Sequence, residues 1–172
     1  MMILRCLTTA KEIGLITMNN KWDMRYGHLA SVVAGWSKDP STQVGAVIAR
    51  PNKTIASVGY NGFPANMEDR PEWYADRDEK LKRIIHAEHN ALNHCEHDNI
   101  TGSTIYVYPL HPCQKCAFKI YQRGITRVVT VTTREKNDYM SQPEVWQRYG
   151  FDNTLRLFRE WGLKHETIVI LD

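Results

Sequence analysis

Long hydrophobic runs are missing from this 172-residue sequence, and so is any strong surplus of charge. A bilayer-spanning helix needs about 20 consecutive, mostly apolar residues. The opening MMILRCL falls far short of that, and it lacks the small-residue cleavage site on which a signal peptide ends. A cytoplasmic protein with no membrane contact is expected. The formal net charge is only +3. So mild a surplus suits a handler of small anions such as phosphates and argues against a nucleic-acid groove. Cysteine is scarce as well: Cys6, Cys95, Cys113 and Cys116 are all there are. An even count permits disulfides, but nothing around them looks secreted, and in a cytosolic protein the C-x-x-C pair reads as a metal or redox site rather than a staple. There is no internal repeat, no low-complexity tract and no domain boundary, and the length suits one compact domain.

What is present alternates between two periods. Residues 1–20 carry neither and are expected to form an N-terminal arm, with one domain over 21–172. Trp22, Tyr26, Leu29 and Val33 recur at helical spacing, which predicts a helix over 21–36 until SKDPST breaks it at Pro40. Strands are expected at 43–49 and 54–59, joined by the RPNK turn. The Gly-, Pro- and charge-rich stretch that follows, 60–80, reads as a functional loop or lid. A helix at 86–97, a strand at 103–108, a helix at 113–124 ended by Gly124 and a strand at 127–132 come next. Asp152 is expected to cap a last helix whose apolar face is Leu155, Phe158 and Trp161, before a closing strand in ETIVIL. Such alternation implies an α/β sheet covered on both faces.

Two short motifs carry chemistry. His86-Ala87-Glu88 opens one predicted helix, and Pro112-Cys113-Gln114-Lys115-Cys116 opens another. One His and two Cys make a three-ligand zinc set that leaves the fourth position for water, the catalytic pattern; a structural site would fill all four with protein. Helix N-termini aimed at the ion favour thiolates. Glu88, two residues from His86, is free to move protons between water, a ring nitrogen and a leaving amine. H-x-E with a later P-C-x-x-C is the signature of zinc nucleobase deaminases. A lone C-x-x-C would serve a redox pair or a structural zinc equally well, and such a module would give Glu88 no task. His89, His94, Cys95 and His97 form a second cluster, either another metal site or one helix carrying solvated and core histidines. Cys6 reads as a small hydrophobe.

Three blocks, SKDPSTQVGAVI, GYNGFP and HAEHNAL with PCQKC, resemble those of the deoxycytidylate (dCMP) deaminase family of the cytidine deaminase superfamily. The resemblance implies a three-layer α/β/α fold with a mixed five-stranded sheet. It implies His86, Cys113 and Cys116 as Zn2+ ligands, Glu88 as the proton shuttle, and conversion of dCMP to dUMP and ammonia. It further implies a homohexamer, activated by dCTP and inhibited by dTTP, each with Mg2+, at a site that includes Gly59, Tyr60, Asn61 and Gly62. Glycines there let backbone amides approach phosphate, and Glu68 and Asp69 could help hold the hydrated Mg2+. After GYNGFP this sequence continues ANMED, where the family often has a Gly-Cys-Ser-type stretch. The runner-up is another deaminase of the superfamily, acting on cytidine, cytosine or tRNA adenosine; a tRNA editor should carry a more basic face.

For the substrate, Val44 and Ala46 alternate on a strand and can offer one apolar face to a pyrimidine. The Ala87 N–H, in a helix first turn, can hold the base carbonyl. Ser37, Lys38, Asp39 and Ser41 offer hydroxyls, a cation and a carboxylate to sugar and phosphate, or else make an ordinary loop. Asn61 touches the sugar, touches the effector, or makes a left-handed turn with Gly62. Tyr108 lines the pocket or fills the core.

Overall fold

The structure is a computed structural model that describes residues 20–95 and 100–171. The expected arm, Cys6 included, lies outside the described residues apart from Asn20. That residue is the N-cap of α1 (Lys21–Ala34), its side chain accepting from the Trp22 N–H. Then follow β1 (Gly45–Ala49) and β2 (Ile55–Tyr60), with Lys53 of the connecting turn left-handed at φ 71°. The stretch read as a loop holds two short helices, α2 (Pro71–Ala75) and α3 (Arg77–Arg83). Pro71 starts the first, and the Asp76 carboxylate accepts from the N–H groups of Asp78 and Glu79 to start the second. α4 (Ala87–Asn93), β3 (Thr104–Tyr108), α5 (Gln114–Gln122) and β4 (Arg127–Thr132) fall where expected, with α4 ending earlier, at His94.

Two further helices, α6 (Arg134–Met140) and α7 (Pro143–Tyr149), were not legible, because each buries a single side chain, Met140 or Val145. α8 (Phe151–Glu160) does not start from an Asp152 cap. Gly150, left-handed at φ 65°, both ends α7 and heads α8, and Asp152 lies in the first turn, where its charge favours the helix dipole. β5 (Lys164–Val169) closes the sheet two residues earlier than expected.

The sheet runs β2-β1-β3-β4-β5, antiparallel on the β1 side and parallel from β3 to β5. Side chains alternate across it. Ala46, Ile48, Ile105, Val107 and Val128 pack under α4, α5 and α8, while Val47, Ala49, Tyr106, Val129 and Val131 pack against α1. This is the expected three-layer α/β/α fold with a mixed five-stranded sheet.

Register decides what meets at the sheet's edge. Gly45 pairs with both Tyr60 and Tyr108, so the residues just before β1, just after β2 and just after β3 share one edge. The carboxyl end of parallel β4 lies on the same edge, the usual place for a ligand crevice in such sheets.

Two glycines let helices lie close. A Cβ on Gly45 would stand 2.1 Å from the Ala30 carbonyl oxygen of α1, and one on Gly59 would stand 2.3 Å from the Ala91 nitrogen of α4. Gly59 is therefore a packing residue beneath α4. At Gly62 the expected tight turn is absent: its backbone is not left-handed, and a Cβ there meets nothing within 4 Å. Gly59→Ala should therefore destabilise the fold by about 1–3 kcal/mol or more through overpacking against a backbone that cannot yield. Gly62→Ala should stay within about 0.5 kcal/mol. Urea unfolding of the two variants checks the contrast; equal midpoints would show that α4 does not bear on Gly59.

Candidate active site

His86 and Cys113 stand at the N-cap positions of α4 and α5 with extended backbone, and neither side chain makes a cap bond. Their donor atoms are free to point at each other across the two helix starts. Cys116, one turn into α5, shares the face. His86 Nδ1 lies 3.5 Å from Cys113 Sγ and 3.4 Å from Cys116 Sγ, and the three ligand atoms all fall within 4.8 Å of one another. A tetrahedral ion about 2.0–2.1 Å from nitrogen and about 2.3 Å from sulfur demands an N···S separation of about 3.6 Å. The triad therefore fits a tetrahedral metal with one position to spare. Among the described residues no other group of His, Cys, Asp and Glu gathers this way.

Electrostatics divide the pair of thiols. The hydrogen bond from Cys116, with His86 beside it, pulls the Cys113 thiol down to about 4. Cys116, which gives that bond and is buried, is pushed up. The Cys113 sulfur in turn raises His86 to about 9. Glu88 is 3% exposed, and burial pushes its carboxyl up, so that it holds a proton more readily than a solvated carboxylate.

These groups open on a cavity of ≈ 370 Å³. Asp39, Ser41, Thr42, Val44 and Asn61 line one side, and Arg77, Lys80 and Leu81 of α3 with Ile84 just after it line another. His86, Ala87, Glu88, Leu110, His111 and Cys113 form the floor, and Tyr139, Arg148, Tyr149 and Phe151 complete the wall. Asp39 organises the first side. One carboxylate oxygen accepts from the Ser41 N–H at 2.8 Å and from Lys80 Nζ at 3.0 Å, and Lys80 also donates to Ser41 Oγ at 2.9 Å. Asn61 Oδ1 accepts from the Val44 N–H, and its amide nitrogen donates to the Thr42 carbonyl. Burial lowers His111 to about 3 and His165 to about 4, so both rings are neutral at pH 7.

The family model for the cytidine and deoxycytidylate deaminase zinc-binding region matches residues 20–132. The chain belongs to this family. It is 43% identical over 128 residues to an uncharacterised deaminase in the luxG 3′ region of Aliivibrio fischeri, covering 73% of this chain and 81% of that protein. With the deoxycytidylate deaminase of Mus musculus it shares 32% identity over 155 residues, 87% of this chain and 85% of the mouse protein. The crystal structure of the dCMP deaminase of cyanophage S-TIM5 in complex with dCMP and dUMP has the same fold. Its TM-score is 0.66 at 20% identity, over 88% of this chain and all of that one.

In this deaminase-family chain the expected substrate residues separate into two groups. Asp39, Ser41, Val44, Asn61 and Ala87 line the cavity; Ser37, Lys38, Ala46 and Tyr108 do not. Ser37 lies behind the wall, donating to the Asn61 carbonyl at 2.7 Å. Lys38 is exposed and paired with Asp69 at 2.6 Å. Ala46 is fully buried in the core cluster against which Val44 packs, one step further into β1 and away from the cavity. Tyr108 lines a second cavity of ≈ 640 Å³ against α1. Asn61 makes no left-handed turn; it is buried and bonded as above.

In the expected effector loop, Tyr60 is exposed and edge-on to Trp36, Glu68 pairs with Arg70, and Asp69 is taken by Lys38 and Tyr74. Of the second cluster, His97 lies outside the described residues, His89 contacts Lys119, and Cys95 donates to the Ala91 carbonyl. Arg77, Lys80, His111, Tyr139, Arg148 and Tyr149 were missed. Asp76 with Glu79 three residues on is a capping-box pattern that would have announced α3 and its two cations.

Lys80 and Asp39 are both nearly enclosed, at 10% and 4% side-chain exposure. Lys80→Met should strand the carboxylate and cost about 3–5 kcal/mol, and Asp39→Asn on top of it should recover much of the loss. Chemical denaturation of the two single variants and the double variant measures this. Additive losses would show that the pair is not coupled.

Proposed function

We propose that the chain is a zinc-dependent hydrolytic deaminase that converts dCMP to dUMP and ammonia. What carries the reading is the meeting, in one cavity, of a three-ligand His/Cys/Cys set, a buried carboxyl whose burial outweighs the pull of His86, and the arginines Arg77 and Arg148. The ligands fit zinc: two sulfurs and one imidazole are its preferred donors, and Cys113 is already poised as a thiolate. Zinc when bound supplies the Lewis acidity that makes water a nucleophile at neutral pH. His86 and Cys113, fixed by helix starts, and Cys116, buried behind them, set its place.

Glu88 moves the protons. It takes one from the attacking water and gives one to N3 of the pyrimidine, then passes another to the departing amine as the C4–N bond breaks and the C4 carbonyl forms. Its raised pKa suits a group that must both hold and release a proton. Ala87 offers its first-turn N–H to the base carbonyl. Val44 packs on the ring, and Asn61 with Asp39 and Ser41 shapes the sugar side. The phosphate goes to Arg148 and Arg77, because Lys80 is neutralised by Asp39 and Lys38 stands outside.

Regulation by dCTP and dTTP with Mg2+ belongs to the same reading, at Gly59–Gly62 with Glu68 and Asp69. What supports it is mechanical. Gly62 and Ile85 exchange two backbone hydrogen bonds, so the loop is tied to the residue beside His86. The two acids would have to leave Arg70, Lys38 and Tyr74 to reach a cation. A cytoplasmic homohexamer completes the proposal; free thiols at Cys95, Cys113 and Cys116 suit a reducing compartment, and exposed Trp36, Phe118 and Tyr121 offer apolar surface for subunit contacts.

The deciding experiment measures ammonia release from dCMP, deoxycytidine, cytidine, cytosine and dCTP alongside zinc content. The expected result is about one zinc per chain and preference for dCMP. Glu88→Gln should keep the zinc while kcat falls about 10²–10⁴-fold. Arg148→Ala should raise KM for dCMP about tenfold or more and leave deoxycytidine unchanged. Equal efficiency on deoxycytidine and dCMP would move the assignment to a nucleoside deaminase, and near-normal turnover by Glu88→Gln would remove the proton shuttle. Rate curves that are sigmoidal without dCTP, hyperbolic with it and depressed by dTTP are expected; hyperbolic curves indifferent to both would end the regulatory part.

A further inference from the structure

His111 is used by nothing in the chemistry above, yet it is built into the cavity with unusual care. Its Nδ1 lies 2.8 Å from Thr130 Oγ1, and the same hydroxyl lies 3.1 Å from His165 Nε2. Thr130 is fully buried in β4, and His111 is 7% exposed. The ring is wedged among Trp146, Phe151 and His165, with centroids 5.5, 5.0 and 5.2 Å away, so it has little room to turn. Among the described residues its second nitrogen, Nε2, has no partner, and the small exposed remainder of the residue faces the cavity floor it shares with His86 and Glu88.

An aromatic nest of this kind would accept phenylalanine without any polar partner. A histidine there requires a buried hydrogen-bond chain to satisfy one nitrogen, and it leaves the other unsatisfied unless something in the cavity meets it. We propose that His111 contacts the substrate: its Nε2 edge hydrogen-bonds a polar group of the bound pyrimidine nucleotide, and the Thr130–His165 chain fixes which way that edge is protonated. The proposal rests on the deaminase reading of the cavity.

Proton counting shows how the chain can do this. Thr130 has one hydroxyl proton for two imidazoles. If it donates to His165, His111 must donate from Nδ1, and Nε2 faces the cavity as an acceptor. If it donates to His111, Nε2 carries the proton and faces the cavity as a donor. Buried partners select one of the two arrangements, so the polarity of the cavity end is set from the far end, in β5.

The test uses the full zinc-loaded chain and three variants, His111→Phe, His111→Gln and Thr130→Val, with zinc content, thermal midpoint, and kcat and KM on dCMP. Ring-nitrogen NMR shifts of 15N-histidine-labelled Glu88→Gln protein, titrated with dCMP, give a readout independent of turnover. His111→Phe should keep its zinc and lose about tenfold in kcat/KM, the scale of one well-formed hydrogen bond. Gln should restore part of that, and Thr130→Val should lose less than Phe because the ring stays but is no longer held. In the labelled protein, His111 should occupy one tautomer, with Nε2 moving on dCMP addition far more than Nδ1. Zinc-replete His111→Phe within about twofold of wild type, or an Nε2 signal unmoved at saturating dCMP, overturns the proposal. If His111→Phe fails to fold, His111→Gln and the titration decide. If the wild type releases no ammonia from dCMP, the substrate assignment falls, and the His111 titration is read instead on the pyrimidine that the ammonia assay identifies.

Discussion

The site depends on the distance between α4 and β2. With no Cβ on Gly59, the backbone of Ala87–Ala91 comes down onto the strand, and Ser57 and Asn90 bond across the contact to the Ala91 and Tyr60 carbonyls. The Gly62–Ile85 bridge fixes the chain just before the helix. These constraints place His86 at the helix start and Glu88 in its first turn with no freedom left over. Only then can a second helix, α5, bring Cys113 and Cys116 to the same point. A helix standing one side-chain layer higher would carry the histidine nitrogen out of reach of both sulfurs.

Fixed geometry then lets environment assign different work to similar groups. Asp39 and Glu88 are both buried carboxyl groups on one cavity. Asp39 has Lys80, an asparagine amide and two backbone N–H groups around it, and it serves as a strut. Glu88 has only His86 beside it, and burial outweighs that charge and makes it hold a proton. The two thiols divide in the same manner, one ionised and one not, because Cys116 gives the hydrogen bond that Cys113 receives and is the more buried of the two. Charge pairing removes a group from chemistry, and its absence in a buried place commits a group to it.

The same distinction explains what could be read from the sequence. His86, Glu88, Cys113 and Cys116 were legible because metal and proton chemistry restrict residue type and spacing locally, and the helix starts that carry them are local too. The central strands were legible because they are buried on both faces. Lys38 and Lys80 were not separable in sequence: each is a lysine near loop carboxylates, and only the fold shows that Lys80 reaches Asp39 while Lys38 pairs outside. Ala46 shares the Val44 face, as strand alternation predicts, but it lies one step deeper, where the cluster that holds Ala87 and Ala91 buries it away from the cavity. α6 and α7 were illegible because an amphipathic period needs more than one buried residue per helix to register.

Those two helices, and the turn into α8, give the remaining step. Residues 20–132 match the family, and they contain the metal triad, Glu88 and the Asp39 hub. Tyr139, Arg148, Tyr149 and Phe151 lie beyond that region, yet they complete the cavity wall and bring in one of its cations. Part of the contact between this segment and the rest of the domain runs through His111, whose ring touches Trp146 and Phe151 on one side and Thr130 on the other. The chemistry is thus held by short-range rules of helix starts and ligand spacing. The shape of what may enter is held by packing between segments far apart in the chain, and His111 is where the two meet.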